Sequence, residues 1–123
     1  MTKPALSLAI LTLFLLLSFN PGGTMRLANG QKYWCVAKPS SSNGELTENI
    51  KYACDQVGWK NCAVIAEGGL CYHPNTLINH ASVAMNIYYQ YFHRNPWNCD
   101  FRNSGLTVMT NPSYGGCKYE YAE

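Results

Sequence analysis

The sequence predicts an α+β domain in which two helices pack on a small antiparallel sheet and three disulfides hold the elements together. Three observations predict this fold. Two segments carry apolar residues at helical spacing. Short apolar and aromatic segments on either side of them have the composition of strands. Six cysteines, an even number in a short chain, are typical of a secreted domain whose small core needs covalent cross-links.

Residues 1–23 are predicted to be a secretory signal peptide. Lys3 supplies a basic start, residues 5–19 are almost wholly apolar, and Asn20-Pro21-Gly22-Gly23 follows as a turn. A membrane anchor is disfavoured because this apolar run is shorter than the roughly 20 residues that span a bilayer. No pair of small residues marks a cleavage site before Thr24. Residues 24–32 are then predicted to be a flexible lead and residues 33–123 the folded domain.

The folded domain begins with a strand and a helix. Residues 33–37 are apolar and aromatic and predict a strand that stops before Pro39. Ser42 and Glu45 match a capping box at the start of the first helix, and Gly58 is its predicted C-cap. The apolar stripe of this helix consists of Leu46, Ile50, Ala53, Cys54 and Val57. We interpret its outer face as an ordinary charged solvent face, formed by Glu48, Lys51 and Asp55.

The second helix lies within residues 71–93, and the rest of the domain is organised around it. Asn75 or Thr76 caps its start, and Asn95-Pro96 ends it. The predicted core stripe consists of Leu77, Ala81, Ala84, Met85, Tyr88 and Phe92. The opposite face is polar but uncharged, with Tyr89 at its edge, and consists of Asn79, Ser82, Asn86, Gln90 and His93.

An uncharged helix face is unusual because a helix exposed to solvent usually carries Lys, Glu or Arg. Neutral amides beside an aromatic ring suit a neutral, hydroxyl-rich ligand, which is the first interpretation of this face. The alternative is that loops cover it and that the amides satisfy backbone groups of those loops.

The remaining segments predict short strands and turns. Residues 63–70 suit a short strand or a turn, and residues 106–109 predict a strand. Residues 111–116 predict a turn, and residues 117–121 alternate as an edge strand does.

The cysteines favour disulfides over zinc. Six cysteines allow fifteen pairings, and one is disfavoured because Cys71 and Cys99 flank a helix about 25 Å long. A zinc site is the alternative, but no CxxC pair is present, and Cys71 with the three histidines His73, His80 and His93 does not form a recognised ligand set. No metal or cofactor is therefore predicted.

The charge balance argues against two classes of partner. Of the charged residues only Lys3 lies within 1–23, which leaves eight Lys and Arg against seven Asp and Glu. A nucleic-acid-binding protein would carry clustered basic residues. The sequence has no polybasic run for a membrane surface and no hydrophobic C-terminal tail for a lipid anchor. We expect a monomer without a membrane anchor.

Several segments together resemble one family. They are Trp34-Cys35-Val36; Asn49-Ile50-x-Tyr52-Ala53-Cys54; Cys71-x-x-Pro74-Asn75-Thr76; His80-Ala81-Ser82-x-Ala84-Met85-Asn86-x-Tyr88-Tyr89-Gln90; Cys99-x-Phe101; and Pro112-Ser113-Tyr114-Gly115-x-Cys117. In this order they resemble carbohydrate-binding module family 43, the plant X8 domain, which occurs alone in pollen-allergen-like and callose-binding proteins and appended to endo-1,3-β-glucanases. The resemblance covers nearly all of residues 33–119.

The resemblance implies a module of two helices beside a short antiparallel sheet that binds β-1,3-glucan. It also implies the disulfides Cys35–Cys99, Cys54–Cys62 and Cys71–Cys117. Two departures from the family pattern are Tyr72, where phenylalanine is common, and a long turn between Cys54 and Cys62.

A glucan chain offers apolar C–H faces and a rim of hydroxyls, so that its binder needs flat aromatic surface and neutral hydrogen-bonding groups. The predicted carbohydrate-binding residues are Tyr72, Tyr89 and Tyr114 as aromatic contacts and Asn75, Asn86, Gln90 and Asp100 as polar contacts. The alternative for each aromatic residue is core packing, which we predict for Trp34 and Tyr88. His80 is predicted to be buried and hydrogen-bonded.

Two other functions are weighed against glucan binding. A glycosidase needs two carboxyl groups facing each other across a cleft, and Asp100 with Glu67 is the only candidate pair. We therefore predict no catalytic activity. A disulfide-rich defence or signalling protein with a protein partner would show a basic or exposed apolar patch, and none is evident. The resemblance, together with these exclusions, thus implies a secreted glucan-binding protein of the plant cell wall.

Overall fold

The structure is a computed structural model that describes residues 30–123. Residues 33–123 form one unit, and residues 30–32 belong to a preceding unit that ends at Lys32. The predicted signal peptide at 1–23 and residues 24–29 of the predicted flexible lead lie outside the described residues. Helices within 30–123 are all too short or too polar to cross a membrane.

Helix α1 spans Asn43–Val57 and begins as predicted. The Glu45 amide donates to Ser42 Oγ at 3.1 Å, and the Ser42 amide donates to Glu45 Oε1 at 2.8 Å, so that both halves of the capping box form. The helix ends at Gly58, whose φ of 94° lies in the region that glycine adopts without steric cost.

Helix α2 spans Leu77–Tyr91 and begins at Thr76, whose Oγ1 accepts from the Asn79 amide at 3.2 Å. It ends several residues before the predicted Asn95-Pro96 stop. Leu77 was predicted in the core, but it is 37% exposed because it occupies the first position of the helix.

The sheet has two antiparallel strands within the described part of the chain. β1 is Trp34–Ala37 and β2 is Gly105–Val108, with Trp34 opposite Val108 and Ala37 opposite Gly105. Both predicted strands are confirmed to within one residue.

The predicted edge strand at 117–121 is wrong. Cys117 makes one isolated bridge with Tyr114, and the residues after it bind side chains of α2. For residues 63–70 the sequence left a strand or a turn open, and the structure has the end of the 3₁₀ helix Trp59–Ile65 followed by turns. A second 3₁₀ helix spans Pro96–Cys99.

The disulfides are Cys35–Cys99, Cys54–Cys62 and Cys71–Cys117, which confirms the pairing that the resemblance implies. They also confirm that Cys71 and Cys99 are not joined. The predicted fold, two helices on a small antiparallel sheet with three cross-links, is the observed one.

Helix α2 contributes to both hydrophobic clusters of the domain. Val83 and Ala84 lie in the cluster around Cys54–Cys62 and Cys71–Cys117. Ala81, Met85 and Tyr89 lie in the cluster around Cys35–Cys99 and Leu46. Because α2 is buried on two sides, charged side chains on those sides would have to leave water. This is the physical reason for its uncharged sequence.

Candidate functional site

The central part of the polar face of α2, at Ser82, Asn86 and Gln90, is buried, which contradicts the prediction that this face lies open to a ligand. Asn79 is half-buried and His93, beyond the end of α2, is exposed. Asn86 and Gln90 are 0% and 1% exposed, and Ser82 is also buried. Asn86 and Gln90 are therefore not available as carbohydrate contacts in this structure. The alternative stated from sequence, in which the amides satisfy backbone groups, is the one that the structure supports.

These three side chains bind the outer edge of β1 and the residue before it. The Cys35 amide donates to Asn86 Oδ1 at 3.0 Å, and the Ala37 amide donates to Ser82 Oγ at 2.9 Å. Gln90 Nε2 donates to the Tyr33 carbonyl oxygen at 3.0 Å. A free strand edge would otherwise expose these backbone groups. The side chains of α2 thus pair the edge of β1 that β2 does not pair.

The same face also binds the C-terminal segment, residues 120–122. Asn86 Nδ2 donates to the Glu120 carbonyl oxygen at 2.8 Å, and the Ala122 amide donates to Gln90 Oε1 at 3.1 Å. The Arg94 guanidinium donates to the Ala122 carbonyl oxygen and lies 4.7 Å from the centroid of the Tyr121 ring. The C-terminal segment therefore covers the face that looked open in sequence.

The structure also contradicts the prediction that Tyr89 contacts the carbohydrate. Its side chain is 4% exposed and packs in the cluster with Met85, Leu46 and the Cys35–Cys99 disulfide. The helical spacing placed it at the boundary of the two faces, and β1 and α1 bury that boundary. Trp34, by contrast, is buried as predicted.

Asn86→Ala is expected to destabilise the domain by about 1 to 3 kcal/mol, because it leaves the Cys35 amide and the Glu120 carbonyl group without their partner. Urea unfolding with the disulfides intact measures this change. Asn75→Ala is the matched control, since Asn75 is exposed in the loop before α2. Equal stability of the two variants would contradict the structural role of Asn86.

Tyr114 lies on a shallow surface that we call the Tyr114 surface. It is lined by Pro74, Thr76, Ile78, Asn79, Ser82, Pro112, Tyr114 and Tyr119. The Tyr114 hydroxyl lies 2.7 Å from the His73 carbonyl oxygen and 2.9 Å from Asn79 Oδ1, and these contacts hold the ring in place. The Tyr114 side chain is 36% exposed.

Burial raises the pKa of Tyr119 to about 12, so that its hydroxyl stays protonated.

Tyr72 and Asn75 belong to the segment that leads into α2. Tyr72 is half-buried and stacks on the His80 ring, with centroids 5.4 Å apart. His80 is half-buried rather than buried, and its Nε2 lies 2.7 Å from the Tyr72 carbonyl oxygen, which confirms the predicted hydrogen bond. Asn75 is exposed. Neither Tyr72 nor Asn75 lines the Tyr114 surface.

Asp100 lies elsewhere, in a groove of about 590 Å³ between α1 and residues 97–102. We call it the aromatic groove. It is lined by Glu48, Asn49, Lys51, Tyr52, Asp55, Tyr88, Trp97, Asn98, Asp100, Phe101 and Arg102. Glu67, which with Asp100 was the only candidate carboxyl pair for hydrolysis, is not one of the lining residues. Of the predicted site residues, only Asp100 faces this groove.

The aromatic groove presents two exposed rings. Trp97 is 70% exposed and Tyr52 is 50% exposed. Tyr88 and Phe101 lie behind them and are half-buried, with the Tyr88 centroid 5.4 Å from the centroids of both Tyr52 and Phe101. Sequence reasoning missed Trp97 and Tyr52. The available signal was one aromatic residue on the otherwise charged outer face of the first helix.

A short chain of hydrogen bonds connects Asn98, Tyr88 and Tyr52. The Asn98 side chain hydrogen-bonds the Tyr88 hydroxyl, which lies 3.5 Å from the Tyr52 hydroxyl. Because Asn98 Oδ1 is buried and unpartnered among the described residues, its amide nitrogen is the donor to Tyr88. The Tyr88 and Tyr52 hydroxyls are within hydrogen-bond distance of each other, and either can be the donor.

Burial raises the pKa of Tyr88, and the hydrogen bond with Tyr52 raises it further.

Charged groups rim the aromatic groove. Arg102 Nη1 lies 4.0 Å from Glu48 Oε2, and both side chains are largely exposed. Lys51 Nζ donates to Asp55 Oδ2 at 2.6 Å. The hydrogen bonds from Lys51 and Trp59 hold the pKa of the Asp55 carboxyl below its usual value of 3.8. The rim thus offers carboxylate acceptors and cationic donors to a polar ligand.

One wall of the groove has an unusual backbone. Phe101, Arg102 and Asn103 have φ angles of 45°, 52° and 67°, three consecutive non-glycine residues in the left-handed region. Each such residue costs of order 1 kcal/mol, and strain of this kind clusters at functional sites. The turn persists because Asn49 Nδ2 donates to Ser104 Oγ at 2.8 Å and the Gly105 amide donates to the Asp100 carbonyl oxygen at 3.1 Å.

Comparison with known proteins gives consistent matches. The family model described as X8 domain matches residues 33–106. The chain is 50% identical to a glucan endo-1,3-beta-D-glucosidase of Olea europaea over 70% of its own length, but spans only 18% of that protein. It is 42% identical to the major pollen allergen Ole e 10 of Olea europaea, over 73% of this chain and 72% of the allergen. It is 37% identical to plasmodesmata callose-binding protein 5 of Arabidopsis thaliana, over 70% of this chain and 47% of that protein.

Proposed function

The chain belongs to the X8 domain family, and from that premise we propose that residues 33–123 form a non-catalytic module that binds β-1,3-glucan of the callose and laminarin type. The names of two relatives support the ligand: one acts on 1,3-β-glucan and another binds callose. The hydrolytic activity is not carried over, because the chain spans only 18% of the glucosidase that it matches.

The aromatic groove is the proposed binding site, and the exposed Trp97 ring on its rim is the observation that carries the proposal. A sugar ring stacks its C–H face on an exposed indole, and the hydroxyls at its edge need polar partners. The groove supplies them at Asp100, Arg102 and the Tyr52 hydroxyl. A ligand hydroxyl that reaches the floor would also meet the unpartnered Asn98 Oδ1.

The Tyr114 surface is the second candidate contact. Tyr114 itself is held in place and partly exposed, while Tyr72 and Asn75 lie in the preceding segment. We place the main site in the groove because its two rings, Trp97 and Tyr52, are 70% and 50% exposed, whereas the Tyr114 ring is 36% exposed.

Trp97→Ala is expected to weaken binding of a laminarin-type hexasaccharide about ten- to hundredfold, since burial of a large aromatic side chain against a ligand contributes about 1.5 to 3 kcal/mol. Isothermal titration calorimetry measures the affinity. The fold is expected to persist, because Trp97 is 70% exposed.

Tyr91→Ala is the control, since Tyr91 is 55% exposed and does not line the groove. Unchanged affinity in Trp97→Ala, with loss in Tyr114→Ala instead, moves the site to the Tyr114 surface. Absence of any glucan binding by the wild-type protein would contradict the proposal. It would favour the alternative, in which a protein partner binds the exposed Trp97 ring.

We further propose that the protein is a secreted monomer of the plant cell wall without a membrane anchor. Three disulfides support an oxidising compartment, where such bonds form and persist. The likeness to a callose-binding protein of plasmodesmata supports a wall polysaccharide as its partner.

A further inference from the structure

Trp59 is a second exposed tryptophan, outside the aromatic groove but in contact with it. It opens the 3₁₀ helix Trp59–Ile65, and its side chain is 53% exposed. Its Nε1 donates to Asp55 Oδ1 at 2.6 Å. Because Asp55 lines the groove, the Trp59 ring lies directly beside the groove wall.

Four features hold this ring in position. Gly58 ends α1 and turns the chain, and the Cys54–Cys62 disulfide ties the helix end to the 3₁₀ helix. Asp55 is itself fixed by Lys51 at 2.6 Å. The lowered pKa of Asp55 keeps it ionised in mildly acidic solution, so that the acceptor for the indole N–H persists. A ring that is already ordered loses little conformational entropy when a ligand stacks on it.

The position of Trp59 gives the ligand a direction. The groove follows α1 from Glu48 to Asp55, a rise of about 10 Å. The Glu48–Arg102 ion pair bridges the two walls near one end of this path. Trp59 follows Asp55 at the other end, where the chain leaves the helix.

We propose that Trp59 is an additional sugar-binding subsite, which takes glucan units that extend from the aromatic groove past Asp55. This inference rests on the proposed function and adds to it a preference for longer chains. A short oligosaccharide fills the groove alone, whereas a longer one also stacks on Trp59. Affinity therefore rises with chain length until the Trp59 ring is covered.

The experiment compares affinities for β-1,3-linked oligosaccharides of two to eight glucose units in the wild type, Trp59→Ala and Trp59→Phe. Trp59→Ala is expected to lose about five- to twentyfold in affinity for the longest ligand and to bind the shortest as the wild type does. Trp59→Phe keeps a stacking ring and is expected to retain most of the length dependence. Unchanged urea unfolding of the variants shows that the exposed ring acts on the ligand rather than on the fold.

Two outcomes separate this inference from the proposed function. If the wild type binds glucan but Trp59→Ala loses affinity equally for all lengths, or loses none, the Trp59 subsite is overturned while the groove stands. If the wild type binds none of these ligands, the proposed function fails and the subsite fails with it. Trp97→Ala is the comparison, since it is expected to lose affinity for every length.

Discussion

Tyr89→Ala is expected to lower the free energy of unfolding by about 3 to 5 kcal/mol, as truncation of a large buried aromatic side chain does. Tyr89 is 4% exposed and packs with Met85 and Leu46 in one of the two core clusters. The truncation leaves a cavity that helix α2 cannot close without giving up its contacts to β1. Urea unfolding of the disulfide-intact protein measures the loss.

Tyr91→Ala is the matched control for this change. It removes the same side chain from the same helix, two residues further on, but Tyr91 is 55% exposed. It is expected to alter stability by less than about 1 kcal/mol. If Tyr89→Ala were as stable as Tyr91→Ala and lost glucan affinity instead, Tyr89 would be a ligand contact after all.

Gly105→Ala is expected to destabilise the domain by about 3 kcal/mol or more, because the added methyl group meets backbone that has no room to move. A Cβ at position 105 would lie 1.8 Å from the Cys99 carbonyl oxygen. Relief of this clash has to displace either β2 at its pairing with Ala37 or the turn that carries Asp100. Urea unfolding measures the loss, and glucan affinity is expected to fall with it.

Gly116→Ala is the control for Gly105→Ala. A Cβ at position 116 meets only Leu70 Cδ2, at 3.6 Å, which is ordinary van der Waals contact. Its stability is expected to stay within about 0.5 kcal/mol of the wild type. A folded Gly105→Ala variant of equal stability would show that the approach of residue 105 to Cys99 is not needed for the fold.

The secondary structure that could be predicted was the part set by local chemistry. Ser42 and Glu45 define the start of α1 by a hydrogen-bond pattern that involves only neighbouring residues. The two strands were also predictable from composition. The edge strand predicted at 117–121 does not form. Side chains of α2 bind this segment in place of another strand, and its alternating pattern does not distinguish the two cases.

The burial of the polar face of α2 could not be predicted because helical periodicity does not distinguish water from backbone as the partner of an amide. Asn86 and Gln90 are polar where a solvent face would be polar. Their partners, the Cys35 amide and the Ala122 backbone, are 51 and 32 residues away along the chain. Only the tertiary structure brings these groups together.

The aromatic groove escaped prediction for a related reason. Tyr52 lies among Glu48, Lys51 and Asp55 on a face that has the composition of a solvated helix. Trp97 lies in a different segment, 45 positions later in the sequence. The Cys35–Cys99 disulfide and the left-handed turn after Cys99 bring Tyr52 and Trp97 to the same groove. Asp100 was predicted from sequence as a polar contact, whereas Trp97 and Tyr52 were not predicted as contacts.

The connectivity of the disulfides determines how the domain responds to a protease. Cys35–Cys99 and Cys71–Cys117 overlap in sequence, so that every peptide bond from Cys35 to Cys117 lies inside at least one covalent loop. A single nick anywhere in that stretch releases no fragment. Both walls of the groove then stay on one molecule, and a nicked protein is expected to keep the proposed binding site assembled until the cross-links are reduced.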